Sequence, residues 1–173
     1  KVLSVIYFFY MTGAKSIICF LPIFFKSVLS NVSLTGVVVS FYGIAMILLD
    51  IPVGDLLDRI GRKFLIVFGI LIRALAGFFY FISGGILSLV LGRFFEGAAI
   101  SFSWDSGWTM VRDLSPENLE SESIALFQTG TIIAAIVAPM IGGVIAMKFG
   151  FRPLFMFFSF MSVFSAILAY LFI

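Results

Sequence analysis

Six stretches of predominantly apolar residues, separated only by short polar breaks, leave this chain very few ways to fold. Divided at charges and at Gly or Pro positions, they run 2–26, 34–54, 64–84, 87–111, 122–147 and 153–173. Runs of about 20 residues match the distance across a hydrocarbon core at a helical rise of about 1.5 Å per residue. Inside lipid no water is present to bond a free N–H or C=O, so each run is expected to be an α-helix. The connections are short enough that sequential helices must be antiparallel neighbours. Composition agrees: 62% of the 173 residues are hydrophobic, 12% are charged, and phenylalanine occurs 23 times, well above the apolar share of a water-soluble domain. The fold class is therefore an all-α, multi-pass membrane protein with six transmembrane helices in a lipid bilayer.

Several function classes fall away at once. The formal net charge is only +2 and no basic run exceeds one loop, so no nucleic-acid partner is expected. There is no histidine, which removes intramembrane zinc proteases and Ser-His hydrolases. A Gly-rich phosphate loop followed by Lys-Ser/Thr is also missing, so neither an enzyme nor a cofactor or metal is expected. Cys19 has no partner for an internal disulfide and reads as a small packing residue of the first span. That span is too long for a signal peptide and carries Lys15 near its middle. The chain opens on Lys1 rather than methionine, so it is expected to be a fragment or a trimmed chain.

Charge is dense in one place only, Gly54-Asp55-Leu56-Leu57-Asp58-Arg59-Ile60-Gly61-Arg62-Lys63. It lies between the second and third spans as a polar hinge. Gly54 and Gly61 permit a sharp turn or close helix approach at each end. Asp58 can bond the free N–H groups of a helix start or a guanidinium, while Arg59, Arg62 and Lys63 are cations of the kind that mark a cytoplasmic loop. The stretch resembles the loop signature Gly-x-Leu-x-Asp-Arg-x-Gly-Arg-Lys of the major facilitator superfamily, and matches it at every defined position. The fifth span adds Ala138-Pro139-Met140-Ile141-Gly142-Gly143, similar to the Gly-Pro-x-x-Gly-Gly motif of proton-coupled exporters in that family, with Ala138 in place of the first glycine. Ala125 and Ala134 likewise stand where upstream glycines would be. Gly13 and Pro22 in the first span partly resemble the exporter pattern.

An internal repeat supports the same architecture independently. Aligning Gly54 with Gly143 pairs Arg59 with Lys148, Gly61 with Gly150 and Lys63 with Arg152. The repeat is three spans long, about 1–84 and about 87–173. Three crossings reverse direction, so the two copies are inverted in the membrane. Met147 faces Asp58 in this alignment, which fits a gate needed on one side only. The resemblance implies the amino-terminal half of a twelve-helix fold in the cell membrane, with both termini cytoplasmic. Charge points the same way, with Lys1, Arg59, Arg62, Lys63 and Arg112 inside and Lys26, Lys148 and Arg152 outside. A second six-helix half is expected, missing here or supplied by another chain.

Four charges fall near mid-membrane: Lys15, Arg73, Arg93 and Glu96. Roughly fifteen apolar residues at about −0.3 to −0.6 kcal/mol each outweigh one arginine at about +2.5 to +3.5, so the third span still inserts with Arg73. Arg73 is expected to pair with another of these charges and stabilise the bundle. Arg93 and Gly97 resemble the Arg-x-x-x-Gly motif of span four, linked in the family to proton transfer, with Glu96 where glutamine is often found. Glu96 is expected to exchange a proton, with Arg93 and Lys15 as competing partners, against the alternative of a permanent Arg93–Glu96 ion pair at i, i+3. Asp58 and Arg62 are expected to join Asp113 or Arg112 in a cytoplasmic gate that holds an outward-open state. Asp50 is expected to join the hinge charges, and Trp104 and Trp108 to form an interfacial belt.

The function these features imply is secondary active transport of a small organic solute by alternating access, as proton-coupled export. Uptake of a sugar or metabolite is one alternative. A non-transporting six-helix protein is another, against which the buried charges count. A channel would need a pore-lining ring or re-entrant filter that no short loop offers.

Overall fold

The computed structural model describes residues 1–116 and 118–173, so the expectation that Glu117 helps to start the fifth span lies outside the described residues. Among the described residues, seven helices follow in order: α1 (Val2–Ile18), α2 (Leu21–Leu29), α3 (Val32–Ile60), α4 (Arg62–Phe81), α5 (Ile86–Asp113), α6 (Glu120–Phe149) and α7 (Phe151–Phe172). Helices α3 to α7 are each long and apolar enough to cross a bilayer. α1 and α2 together make the sixth crossing, bent by 44° at Cys19 and Phe20. Pro22 explains the restart, because it occupies the first turn of α2, where its missing N–H has no intrahelical acceptor to lose. The first span therefore breaks before its proline and continues to Leu29, and Cys19 is exposed at the break rather than packed.

One boundary moves. α3 does not end at Gly54 but runs on through Asp55–Ile60, so most of the expected hinge is the last turns of a helix. At 29 residues α3 is about 44 Å long, well beyond a core of about 30 Å, so this charged stub lies outside the apolar layer. The connection itself is the single residue Gly61, at φ 94° and ψ 156°. Its counterpart Gly150, at φ 88° and ψ −177°, joins α6 to α7 in the same way. Both φ values lie where side chains with a Cβ are strained, which is why glycine holds these two corners. The other end of α3 is capped: Asn31 Oδ1 accepts from Ser33 N at 2.8 Å and Leu34 N at 3.3 Å. α6 begins at Glu120, four residues beyond Pro116.

The packing has an inverted two-fold pattern. α4 packs on α5 and α7, α1 packs on α6 and α7, and α3 packs on α5. Exchanging α1 for α5, α3 for α6 and α4 for α7 maps these pairs onto themselves. Two inverted three-helix units produce that pattern, because each unit crosses an odd number of times.

Close approach is made by small residues. A methyl group built at Gly142 would collide with the Ser16 carbonyl oxygen, and one at Gly130 would lie 2.6 Å from that of Ser4, so α6 rests directly on the α1 backbone along one parallel seam. At Gly97 an added methyl would strike the Tyr42 carbonyl oxygen, which seats α5 on α3 equally closely. In lipid such contacts and interhelical hydrogen bonds supply much of the association energy, since lipid tails are as apolar as the side chains they touch. Ser165 Oγ donates to Ile6 O at 2.9 Å and Ser159 Oγ to Ala74 O at 3.2 Å, tying α7 to α1 and α4.

The apolar core is divided. One cluster gathers Tyr7, Tyr10, Ile66, Ile70 and Phe127 toward the Gly61 end. A second gathers Phe25, Ala76, Tyr80, Phe155 and Phe158 toward the Gly150 end. Along α1, α4 and α5 the mid-span charges fall between the two.

Candidate functional site

That intervening layer holds a cavity of about 180 Å3 lined by Lys15 from α1, Tyr42 from α3, Arg73 from α4, and Arg93, Glu96 and Ile100 from α5. Close packing brings these helices together, with α5 seated on α3 at Gly97 and α4 on α5 at Gly69, where an added methyl would lie 2.7 Å from Ser103 N. Arg93 and Glu96 are one turn apart on α5, and Arg93 Nη1 donates to Glu96 Oε2 at 2.7 Å. Tyr80 Oη donates to the same oxygen at 2.7 Å. The Arg93 guanidinium also lies 4.6 Å from the Tyr42 ring centre. Glu96 is 6% exposed, so its carboxylate is held by two donors in place of water.

Arg73 departs from its expected pairing. It is 2% exposed and forms no ion pair among the described residues. Its guanidinium lies instead 3.9 Å from the Tyr10 ring centre, and Tyr10 Oη is fixed by Ser103 Oγ at 2.5 Å. The reason is positional, since the carboxylate at this depth, Glu96, is already engaged by Arg93 and Tyr80. Lys15 is half-buried and also lacks an acidic partner among the described residues. The layer thus sets Lys15, Arg73 and Arg93 against Glu96. The cavity continues into a wider one of about 500 Å3, which shares Met11, Lys15, Tyr42 and Ile100 and adds Met46, Trp104, Thr131 and Ile132.

At the Gly61 end, Arg62 Nε lies 2.5 Å from Asp113 Oδ2, joining the start of α4 to the foot of α5. Arg59 pairs with Asp55 at 3.0 Å within α3, and Arg112 reaches Glu120 at 3.9 Å. Lys63 Nζ lies 5.4 Å from the Tyr170 ring centre. Asp58 forms no ion pair among the described residues and does not cap α4, because it lies in the last turn of a helix that runs on to Ile60. Gly54 meets nothing within 4 Å of where a methyl would sit, so in this chain it makes no close helix contact. Asp50 does not join these charges either: it accepts from Ser101 Oγ at 2.5 Å and links α3 to α5.

In the span-five motif Ala138 is fully buried, Pro139 sits inside an unbroken helix, and Gly142 makes the contact with α1. Gly143 would place a methyl 3.6 Å from Phe20, an ordinary contact. Trp104 and Trp108 turn inward against a neighbouring helix. Both pack on Phe127 of α6, at 5.9 and 5.3 Å between ring centres, and Trp104 borders the wider cavity.

Tyr80 and Tyr42 belong to the site although nothing in the sequence pattern singles them out. A charge count by depth would have flagged the surroundings, because three cations share the middle of the bundle with a single glutamate.

A multi-pass membrane bundle of two inverted triplets around a charged interior is the architecture of secondary-transporter halves. Residues 3–173 match the Major Facilitator Superfamily, and the chain belongs to that family. The inner membrane transport protein YajR of Escherichia coli (strain K12) is 30% identical over 123 residues, covering 71% of this chain and 27% of that protein. Multidrug resistance protein MdtL of Shewanella oneidensis is 33% identical over 104 residues, covering 59% of this chain and 26% of that protein. An uncharacterized MFS-type transporter of Methanocaldococcus jannaschii is 26% identical over 136 residues, covering 79% and 35%. The crystal structure of a peptide transporter POT in complex with alafosfalin superposes with a TM-score of 0.83 at 18% identity, over 98% of this chain and 37% of that one, a likeness of fold. The chain spans between 26% and 37% of the length of these proteins.

Proposed function

We propose that this chain is the amino-terminal half of a secondary transporter that moves a small organic solute by alternating access, coupled to protons and working in the export direction. The observation that carries the reading is the Arg93–Glu96–Tyr80 group at the wall of a mid-bundle cavity. Buried charges are costly in a membrane and are kept where they handle a solute or an ion. Glu96 is the proton-exchanging group in this reading, and Arg93, Tyr80 and Lys15 are the partners whose displacement changes its hold on the proton. Export is favoured by the span-five motif and by the likeness to a protein named for multidrug resistance. A second six-helix half closes the cavity from the other side, and both termini of this half face the cytoplasm. The Arg62–Asp113 pair, with Asp58, Arg59 and Lys63 around it, forms the gate at that face and separates as the halves rock.

Glu96→Gln in the full-length protein tests the coupling, because it keeps the shape and removes the titration. Downhill exchange of a transported dye is expected to survive while pH-driven accumulation in proteoliposomes is lost. A variant that still concentrates the dye against its gradient would assign the proton elsewhere. Cells producing the protein are expected to hold less of the dye than cells without it, and an increase would reverse the direction.

A further inference from the structure

We propose that the inner chamber receives an anionic group, a carboxylate or a phosphate, carried on an apolar organic body. This rests on reading the chamber as the solute site, and narrows the solute to an amphipathic organic anion. Arg73 Nε and Nη1 and Arg93 Nε are buried and have no hydrogen-bond acceptor among the described residues. All three belong to side chains that line the chamber. Stacking on Tyr10 satisfies the face of the Arg73 guanidinium but offers nothing to the N–H groups in its plane, which is where a carboxylate or phosphate binds. Buried donors of this kind ordinarily find acceptors. Lys15 adds a second cation without an acidic partner among the described residues. Counting Lys15, Arg73 and Arg93 against Glu96 leaves two positive charges, which would repel a cationic solute and draw in an anionic one. The inner volume of about 180 Å3 suits a small head group, while the adjoining space of about 500 Å3, with Met46, Trp104 and Ile132, suits an apolar body.

Calorimetric titration of the full-length protein in nanodiscs tests this, with benzoate and phenyl phosphate as anions, benzylammonium as the matched cation and benzyl alcohol as the neutral control. At least one anion is expected to bind about tenfold or more tightly than benzylammonium, and the stronger of the two identifies the head group. Arg73→Met is expected to weaken that anion about tenfold while holding or raising thermal stability, since an unpaired buried charge gives way to an apolar side chain. Arg73→Lys keeps the charge but loses the planar fork, and is expected to weaken the anion while leaving benzyl alcohol unchanged, which reports the effect even if Arg73→Met folds poorly. Equal affinity for anion and cation, or anion affinity unchanged in both variants, would overturn the proposal and mean that the cations are neutralised from elsewhere in the protein. Transport without anion preference sinks this proposal and spares the transport reading. Arg73-dependent anion binding by a protein that moves nothing does the reverse.

Discussion

Arg93–Glu96 and Arg62–Asp113 are both arginine–carboxylate pairs at 2.7 and 2.5 Å, yet they sit in different solvents. The first has side chains 12% and 8% exposed between two apolar clusters, and a tyrosine completes it. The second has side chains 38% and 43% exposed at the charged end of the bundle. Contact distance therefore says little about what either pair does. Inside the bundle, removing one partner strands a largely buried charge, whereas at the end water and salt take its place. The inner pair is expected to have the larger hold on stability, and the outer pair to be the more easily parted of the two.

The sharpest way to break this comparison is Glu96→Leu, which leaves Arg93 without its carboxylate. It is expected to cost about 3–5 kcal/mol, measured as a drop in thermal midpoint, with most of the loss recovered when Arg93→Met is added. A loss below about 1 kcal/mol would place Glu96 with the solvated pairs. Next comes backbone packing beside the same pair. Gly97→Ala drives a methyl into the Tyr42 carbonyl and is expected to cost about 1–3 kcal/mol, whereas Gly54→Ala, in open space within a helix, is expected to gain up to about 1 kcal/mol. Unfolding of the two variants side by side checks the sign. A double-mutant cycle on Arg62 and Asp113 is expected to give a coupling of about 0–1 kcal/mol that fades with added salt. The smallest effect belongs to Asp55→Asn, which removes an exposed i, i+4 pair with Arg59 worth about 0.3–0.5 kcal/mol in helix stability.

The crossings, the inverted repeat and the glycine corners were legible because each follows from local chemistry: span length, and hinges that read alike at Gly61 and Gly150. The extension of α3 past Gly54 was not legible, since dense charge between apolar spans reads as a loop, whereas Asp55–Ile60 is the last turns of a helix. For the candidate site, Arg93 and Glu96 could be paired from spacing alone. Tyr80 reaches Glu96 from another helix, and Arg73 finds Tyr10 rather than an acid, so both depend on interhelical packing that no local pattern encodes. Asp50 was misplaced for the same reason, its partner Ser101 lying 51 positions away.

The one-residue corner at Gly61 also makes a tight hairpin of α3 and α4, because the residue after Gly61 already belongs to α4, and Gly150 does the same for α6 and α7. Arg73 thus belongs to a hairpin whose other arm, α3, is a long apolar run, so the cost of holding the lone cation in lipid is set against the apolar residues of two helices. α5 needs no such escort. Its arginine arrives with a glutamate one turn away, already carrying its own counter-charge into the membrane.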